Sequence, residues 1–476
     1  MYLLKKPLHQ TLSTLAHKYG PIFFLQLGSR RYVVVSSSST IEECLTKNDI
    51  VLANRPSKMS VAKILGYNYT MVSWAPYGAH WRNLRRILSL ELFSSNRIQM
   101  LSRIRKEEVK LLIQKLFVGK EWRIVDAKVA FDELVLNNMM RMIAGKRYYG
   151  DKLEDLEEAK RFKEIQKESF IISGMANLRD FLPFMSWIGV GKGLEKRMIE
   201  LQRKRDEFMQ SLIDQHKKRM KGDFDCGSPS KEGNKTLIEV LLSLQQTEPE
   251  YYKDEIIKGL MLIMLIAGTD TIANTLEWSL SFLLNNPDVL KKAQAEIDSQ
   301  VGFDRLIDES DLTRLTYLQS IINETLRLYP PSPLLLPHES SEDCKVSGYR
   351  VPRGTTLLIN AWAVQNDPRN WVDPSCFKPE RFLGPGGAKD GFWWMPFGSG
   401  RRSCPGEGLA LRVIGLALGS LLQCCEWERP SDEMIDMTAA MGGISLPKAR
   451  RLQAKCRPRP MMLNLVSQIG SNNDVA

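Results

Sequence analysis

Long apolar runs are missing from this 476-residue chain. Its longest uncharged apolar stretch, Gly259 to Thr269, is bounded by Lys258 and Asp270. At about eleven residues it is too short to span a bilayer and reads as a buried helix. Met1 to Pro7 lead into His9, His17 and Lys18 without an apolar h-region, so neither a signal peptide nor an N-terminal membrane helix is expected in the chain as written. Cysteine is also scarce. Eight in 476 residues exclude a disulfide scaffold and favour a reducing compartment. There is no P-loop, and Gly398-Ser-Gly-Arg-Arg-Ser403 lacks the final glycine of G-x-G-x-x-G. Cys424-Cys425 lacks zinc-site spacing and sits in a helical pattern, which favours core packing. Basic runs do not interleave with aromatics, so no nucleic-acid partner is expected.

What is present is a core-forming composition. Hydrophobic residues make up 43% of the chain and ten are Trp, which excludes a disordered or fibrous protein. Lys and Arg outnumber Asp and Glu by 66 to 55, a formal charge of +11 that points to an acidic partner or an anionic membrane surface. Length alone is compatible with about three domains or with one large fold. A hairpin is expected where Pro21–Leu27 and Tyr32–Val35 flank Gly28-Ser-Arg-Arg31. Three- and four-residue apolar spacing then predicts helices at Ile98–Leu116, Leu153–Glu168, Leu194–Met220, Thr236–Leu244, Glu255–Leu284, Asp288–Val301 and Tyr317–Leu328. A last helix runs from near Pro405 to about Cys424, and Tyr349–Val351 and Thr355–Asn360 read as strands. The Gly/Ser/Pro-rich segment 221–234 reads as a flexible surface loop. The expected fold class is mainly α with small β-sheets.

The most specific stretch is Pro396-Phe-Gly-Ser-Gly-Arg-Arg-Ser-Cys-Pro-Gly-Glu-Gly408. Its glycines permit a tight turn, and Cys404 stands just before a helix start. The helix dipole and nearby N–H groups there should lower the thiol's pKa and steady it as a metal ligand. Phe397, Gly400, Arg402, Cys404 and Gly406 fill the pattern F-x-x-G-x-R-x-C-x-G. This resembles the haem-binding loop of the cytochrome P450 superfamily.

The resemblance implies the P450 fold as a single domain over residues 1–476, with haem b between the long central helix and the helix after the cysteine loop. It implies Cys404 as the axial thiolate, Arg402 as partner of a propionate and Phe397 as a shield for the sulfur, with electron push toward O–O cleavage. Three further motifs follow the family's order. Glu324-Thr-Leu-Arg327 and Pro379-Glu-Arg-Phe382 imply a Glu324–Arg327–Arg381 ion network that maintains the fold. Ala267-Gly-Thr-Asp-Thr271, inside the long helix, implies an oxygen-binding groove at Ala267 and Gly268, with Asp270 and Thr271 relaying protons. Gly268 should loosen the helix there, and Thr271 could instead simply bond its own i−4 carbonyl. Trp81 and Arg85, in W-x-x-x-R, would hold a propionate, and His338 aligns with a propionate-side position.

Tyr77-Gly, Leu276-Glu-Trp278 and Arg401-Arg402-Ser-Cys-Pro-Gly look like plant microsomal members, nearest to isoflavone hydroxylases and methylenedioxy-bridge lignan synthases. Such members carry an N-terminal membrane helix on the cytosolic face of the endoplasmic reticulum, and Lys5-Lys-Pro-Leu-His9 resembles the segment that follows it. The chain is therefore expected to be a form from which that anchor is absent. Substrate contacts are expected from Met71, Phe181, Ile266, Leu334, Leu335 and Ile444, an aliphatic set suited to an apolar or phenolic molecule. The implied activity is oxygenation of a flavonoid, lignan or terpenoid with O2 and electrons from an NADPH–cytochrome P450 reductase. Methylenedioxy-bridge formation and a non-catalytic haem protein are the alternatives.

Overall fold

The computed structural model describes residues 7–465 except 118–120, 151–154, 174, 176, 188, 221–234, 385–390 and 442. The loop expected at 221–234 therefore lies outside the described residues. Fifteen α-helices carry the described chain. The first six are α1 (Leu8–Tyr19), α2 (Ser38–Leu45), α3 (Ser60–Ile64), α4 (Ala79–Ile87), α5 (Ser95–Met100) and α6 (Ser102–Leu116). Then come α7 (Ala127–Ala144), α8 (Leu156–Ser173), α9 (Lys192–Met220), α10 (Leu237–Thr247) and α11 (Asp254–Asn285). The series ends with α12 (Pro287–Gln300), α13 (Thr316–Leu328), α14 (Ala361–Gln365) and α15 (Glu407–Cys424).

Local chemistry sets these boundaries. Asp126 caps α7 by accepting from the Val129 N–H, and Gly145 ends it with φ +72°. Thr236 and Glu239 form a reciprocal capping box at the start of α10. Pro287 starts α12, where its missing N–H costs nothing. The helix expected at Ile98–Leu116 is two helices, because the backbone turns at Leu101 (φ −87°, ψ 5°).

The α11 helix is apolar on nearly every side and buried from Ile272 through Leu284, so it is a central core helix. It packs most extensively on α7, and also on α9, α13 and α15. Both α11 and α15 are long and apolar enough to cross a membrane, yet most of each is buried within the protein. Buried side chains of α6, α7, α9, α11, α13 and α15 form one continuous core.

Two of the three sheets pack smaller clusters of their own, whereas Cys425, Trp427, Ala454 and Cys456 of the third join the helical core. Strands β1 (Ile22–Leu27) and β2 (Arg30–Val35) make the expected hairpin, with Phe23 opposite Val34 and Leu25 opposite Tyr32. Strand β7 (Thr356–Ile359) pairs parallel to β2, and β4 (His338–Glu339) closes the order β1-β2-β7-β4. Strands β5 (Cys344–Val346) and β6 (Tyr349–Val351) form a small separate ribbon. A third, antiparallel sheet has the order β3 (Arg123–Asp126), β9 (Gln453–Pro458), β8 (Cys425–Glu428). Strands β8 and β9 alternate buried and less buried residues with period 2, while β3 reaches them only from far back in the chain.

Candidate functional site

A cavity of about 440 Å³ opens between the α11 segment Ile263–Ile272, the loop from Pro396 and the start of α15. Its size is that of a small-molecule or cofactor site. On the loop side, Gly398 and Gly400 turn the chain with φ of +70° and +69°, conformations that cost glycine little. The turn is closed by the Cys404 N–H, which donates to the Phe397 carbonyl at 2.9 Å. Cys404 lies two residues before Gly406, the N-cap of α15, and its side chain faces the cavity. The N–H groups of Gly406 and Glu407 and the charge of Arg85 favour the thiolate. Cys404 is exposed to the cavity, yet the protein packed around it desolvates the sulfur enough to outweigh them, so the thiol is pushed up, not down as the loop geometry alone implies. A cation bound at the sulfur would supply the missing charge and deprotonate it.

One end of the cavity is crowded with positive charge. Arg55, Arg85 and Arg402 line it, beside an uncharged His338. Arg55 donates to the carbonyls of Ser73, Leu336 and Pro337 at 2.8–3.0 Å. Arg402 donates to those of Ala53, Val72 and Ala75, and its guanidinium stacks 4.5 Å from the Trp81 ring centroid. Arg85 reaches only the Ser403 hydroxyl, at 3.4 Å. None of the three pairs with a carboxylate among the described residues. Burial, with Arg85 beside it, brings Arg402 down to about 10, and Arg55 is lowered by burial and by Arg402. His338 is held neutral, near 3, mainly by burial and by Arg55, while its ring bonds the Leu52 carbonyl at 2.7 Å. Three guanidiniums without a carboxylate partner, Arg55 buried and Arg85 and Arg402 half-buried, together with one thiol suit a large apolar group bearing carboxylates and a metal centre. The residues fit haem.

On the α11 wall, Ala267, Gly268, Asp270 and Thr271 line the cavity. The Thr271 hydroxyl donates to the Ala267 carbonyl at 2.7 Å. The helix runs on through Gly268. The missing Cβ of that glycine admits Met139 of α7, whose sulfur lies 2.7 Å from where that atom would stand. The Trp81 indole N–H is engaged by the Val72 carbonyl at 3.2 Å.

The expected ion network exists behind the cavity. Arg327 grips both oxygens of Glu324 at 2.7 and 2.8 Å, Arg381 adds a bond at 3.2 Å, and both members of the Glu324–Arg327 pair are fully buried.

Of the expected pocket residues, Ile266, Leu335 and Ile444 line the cavity. Met71, Phe181 and Leu334 do not. Met71 packs over Gly259, and the Phe181 carbonyl accepts the Ser29 N–H at 2.8 Å beside the β1–β2 turn. Leu334 packs beside Leu12, Phe23 and Val34. Gly400 is also off the cavity. It allows close approach to α2, since a Cβ would stand 2.9 Å from the Leu45 carbonyl oxygen. Sequence reasoning missed Arg55, Phe93 and Ser332, which line the cavity from segments without a recognisable spacing.

A family model described as Cytochrome P450 matches residues 1–453. A (+)-piperitol/(+)-sesamin synthase from Sesamum radiatum is 48% identical over 473 residues, covering 99% of this chain and 90% of that protein. An isoflavone 2'-hydroxylase from Glycyrrhiza echinata is 46% identical over 472 residues, covering 98% and 91%. An isoflavone 3'-hydroxylase from Medicago truncatula is 46% identical over 468 residues, covering 97% and 90%.

Proposed function

The chain belongs to the cytochrome P450 family, whose members are haem monooxygenases with an axial cysteine thiolate, and we propose that it oxygenates an apolar plant phenolic held over haem by the cavity described above. One observation carries the reading: a single cavity gathers Cys404, the cation cluster and the Asp270–Thr271 pair, although these lie far apart in sequence.

Bound haem supplies one-electron and dioxygen chemistry that no side chain can provide. Cys404 would hold the metal, with Phe397 packed at the loop and Phe93 against Gly406. Arg85, Arg402 and His338 would take the carboxylate side, and Trp81 would support Arg402 through its ring. Arg55 adds a further cation at that end. Asp270 and Thr271 would hold and pass protons. The Thr271 hydroxyl already lies against the Ala267 carbonyl and needs only a rotation to present its proton to the cavity. Ile266, Leu335 and Ile444 exclude water and orient the substrate by shape, which discriminates poorly against one extra methyl or hydroxyl. Glu324, Arg327 and Arg381 maintain the fold.

The proposed redox partner is an NADPH–cytochrome P450 reductase, attracted by the +11 charge, and the proposed location is the cytosolic face of the endoplasmic reticulum. The chain would act as one haem-centred domain. The test is turnover with reductase and NADPH against flavonoid, lignan and terpenoid panels, followed by product mass analysis. A gain of one oxygen supports the hydroxylase reading. Loss of two hydrogens from a methoxyphenol would support methylenedioxy-bridge formation, the second reading, which the 48% identity to the synthase favours. No product from any panel, with haem bound and reducible, would sink both.

A further inference from the structure

Outside the cavity, where α9 meets the turn after α3, polar groups stand without partners. Arg205 on α9 is 2% exposed and makes no hydrogen bond or ion pair among the described residues, and its Nη2 is shut off from solvent. One turn earlier, the amide of Gln202 is also buried, facing the Tyr67 hydroxyl without a well-formed hydrogen bond. Both groups act on Tyr67, Arg205 through its charge and Gln202 through its amide. The Tyr67 hydroxyl donates to Asp206 Oδ1 at 2.9 Å, and Lys258 Nζ pairs with that same oxygen at 2.6 Å. Asp206 is therefore already neutralised, and Arg205 has no counter-ion among the described residues. A buried unpaired guanidinium destabilises a fold.

A second, independent cost falls on the same turn. Tyr67, Asn68 and Tyr69 have successive φ values of +48°, +50° and +66°, a left-handed run that side chains resist. Strain and unsatisfied buried polarity concentrated in one place mark a functional site. The turn also adjoins the cavity. Tyr67 and Met71 lie over Gly259 of α11, 3.9 and 3.5 Å from where a Cβ would stand, about one helical turn before Ile263 on the cavity wall.

We propose that Arg205, Gln202 and Tyr67 anchor an anionic oxygen group, a carboxylate or acidic phenolate, on a ligand whose apolar body lies in the cavity. Arg205 and the Gln202 amide N–H would donate to that group, and the Tyr67 ring would cover the connecting arm. This assignment rests on the reading of the cavity as a substrate site and narrows the substrate class.

The test uses the haem-loaded full chain, with 4-phenylbenzoic acid and its methyl ester titrated at neutral pH by haem absorption shift and by equilibrium dialysis. The acid should bind about tenfold or more tightly than the ester. Arg205→Met should abolish that preference with the ester's Kd unchanged, Arg205→Lys should keep part of it, and Gln202→Leu should weaken it. Arg205→Met should also melt at or above the wild-type Tm, because an unpaired buried charge is removed. Equal affinities in the wild type, or a preference that survives Arg205→Met, would overturn the proposal. An Arg205→Met protein that melts well below wild type or fails to load haem would also overturn it, by making Arg205 a structural residue. The carbon monoxide spectrum of the same preparations reports on the thiolate separately, so the anchor can fail while the haem reading stands.

Discussion

Cys404 gains its proposed role from what surrounds it, since the protein packed around its cavity-facing thiol desolvates the sulfur and disfavours the thiolate. Cys404→Ala should therefore abolish the thiolate-type Soret band of the reduced carbon monoxide complex; a variant that keeps the band would move the ligand elsewhere. Arg402→Ala removes three bonds to backbone carbonyls and one of the three unpaired guanidiniums at the cavity end. It should weaken haem retention, read as the haem-to-protein absorbance ratio after purification. Thr271→Ala should leave the fold intact, because the hydroxyl bonds only its own helix. Product formed per NADPH should fall at least about tenfold, with electrons lost to peroxide. Unchanged coupling would argue against the proton role.

At the scale of elements, the Glu324–Arg327 pair on α13 shows how a weak motif gains meaning from packing. E-x-x-R occurs by chance on many surface helices, yet here both residues are fully buried and Arg381 joins from the Pro379–Phe382 turn. Glu324→Ala would leave Arg327 charged and unpaired, and should cost about 3–5 kcal/mol in denaturant unfolding. A loss below about 1 kcal/mol, the usual limit for an exposed pair, would mean the network does not hold the fold. The helices themselves were legible because their apolar spacing and caps are local. The third sheet was not, although β8 and β9 alternate polar and apolar residues; β3 and β8 are short, and β3 meets β9 only across most of the chain. Gly268 was legible as unusual, and the packing of α7 adds a use that the sequence did not show, room for Met139.

For the whole molecule, buried histidine links stability to pH. His9 on α1 packs edge-on to Trp362, with ring centroids 5.0 Å apart, and burial lowers its pKa to about 4. The unfolded chain takes up a proton near 6.5, so folding is favoured above that value. Stability should then fall by a few kcal/mol as pH drops from about 6.5 toward 4. His9→Phe should flatten this part of the Tm–pH curve relative to wild type, and parallel curves for the two proteins would refute the linkage. His338 shifts in the same direction, but it stands among the cavity's arginines, where a bound anion alters its surroundings.

The sequence by itself determined the family, the mainly helical class and the cysteine, acid–threonine and ion-network motifs, because each depends on residue type at short spacing. It also carried most helix boundaries, which follow from local capping and breaking. Tertiary structure decided which residues share the cavity. Met71, Phe181, Leu334 and Gly400 fall outside it, while Arg55, Phe93 and Ser332 enter from segments with no pattern of their own. It also decided the direction of the Cys404 shift, and it exposed the unpaired charge of Arg205. Burial and the absence of a counter-ion are properties of packing, which no local spacing encodes.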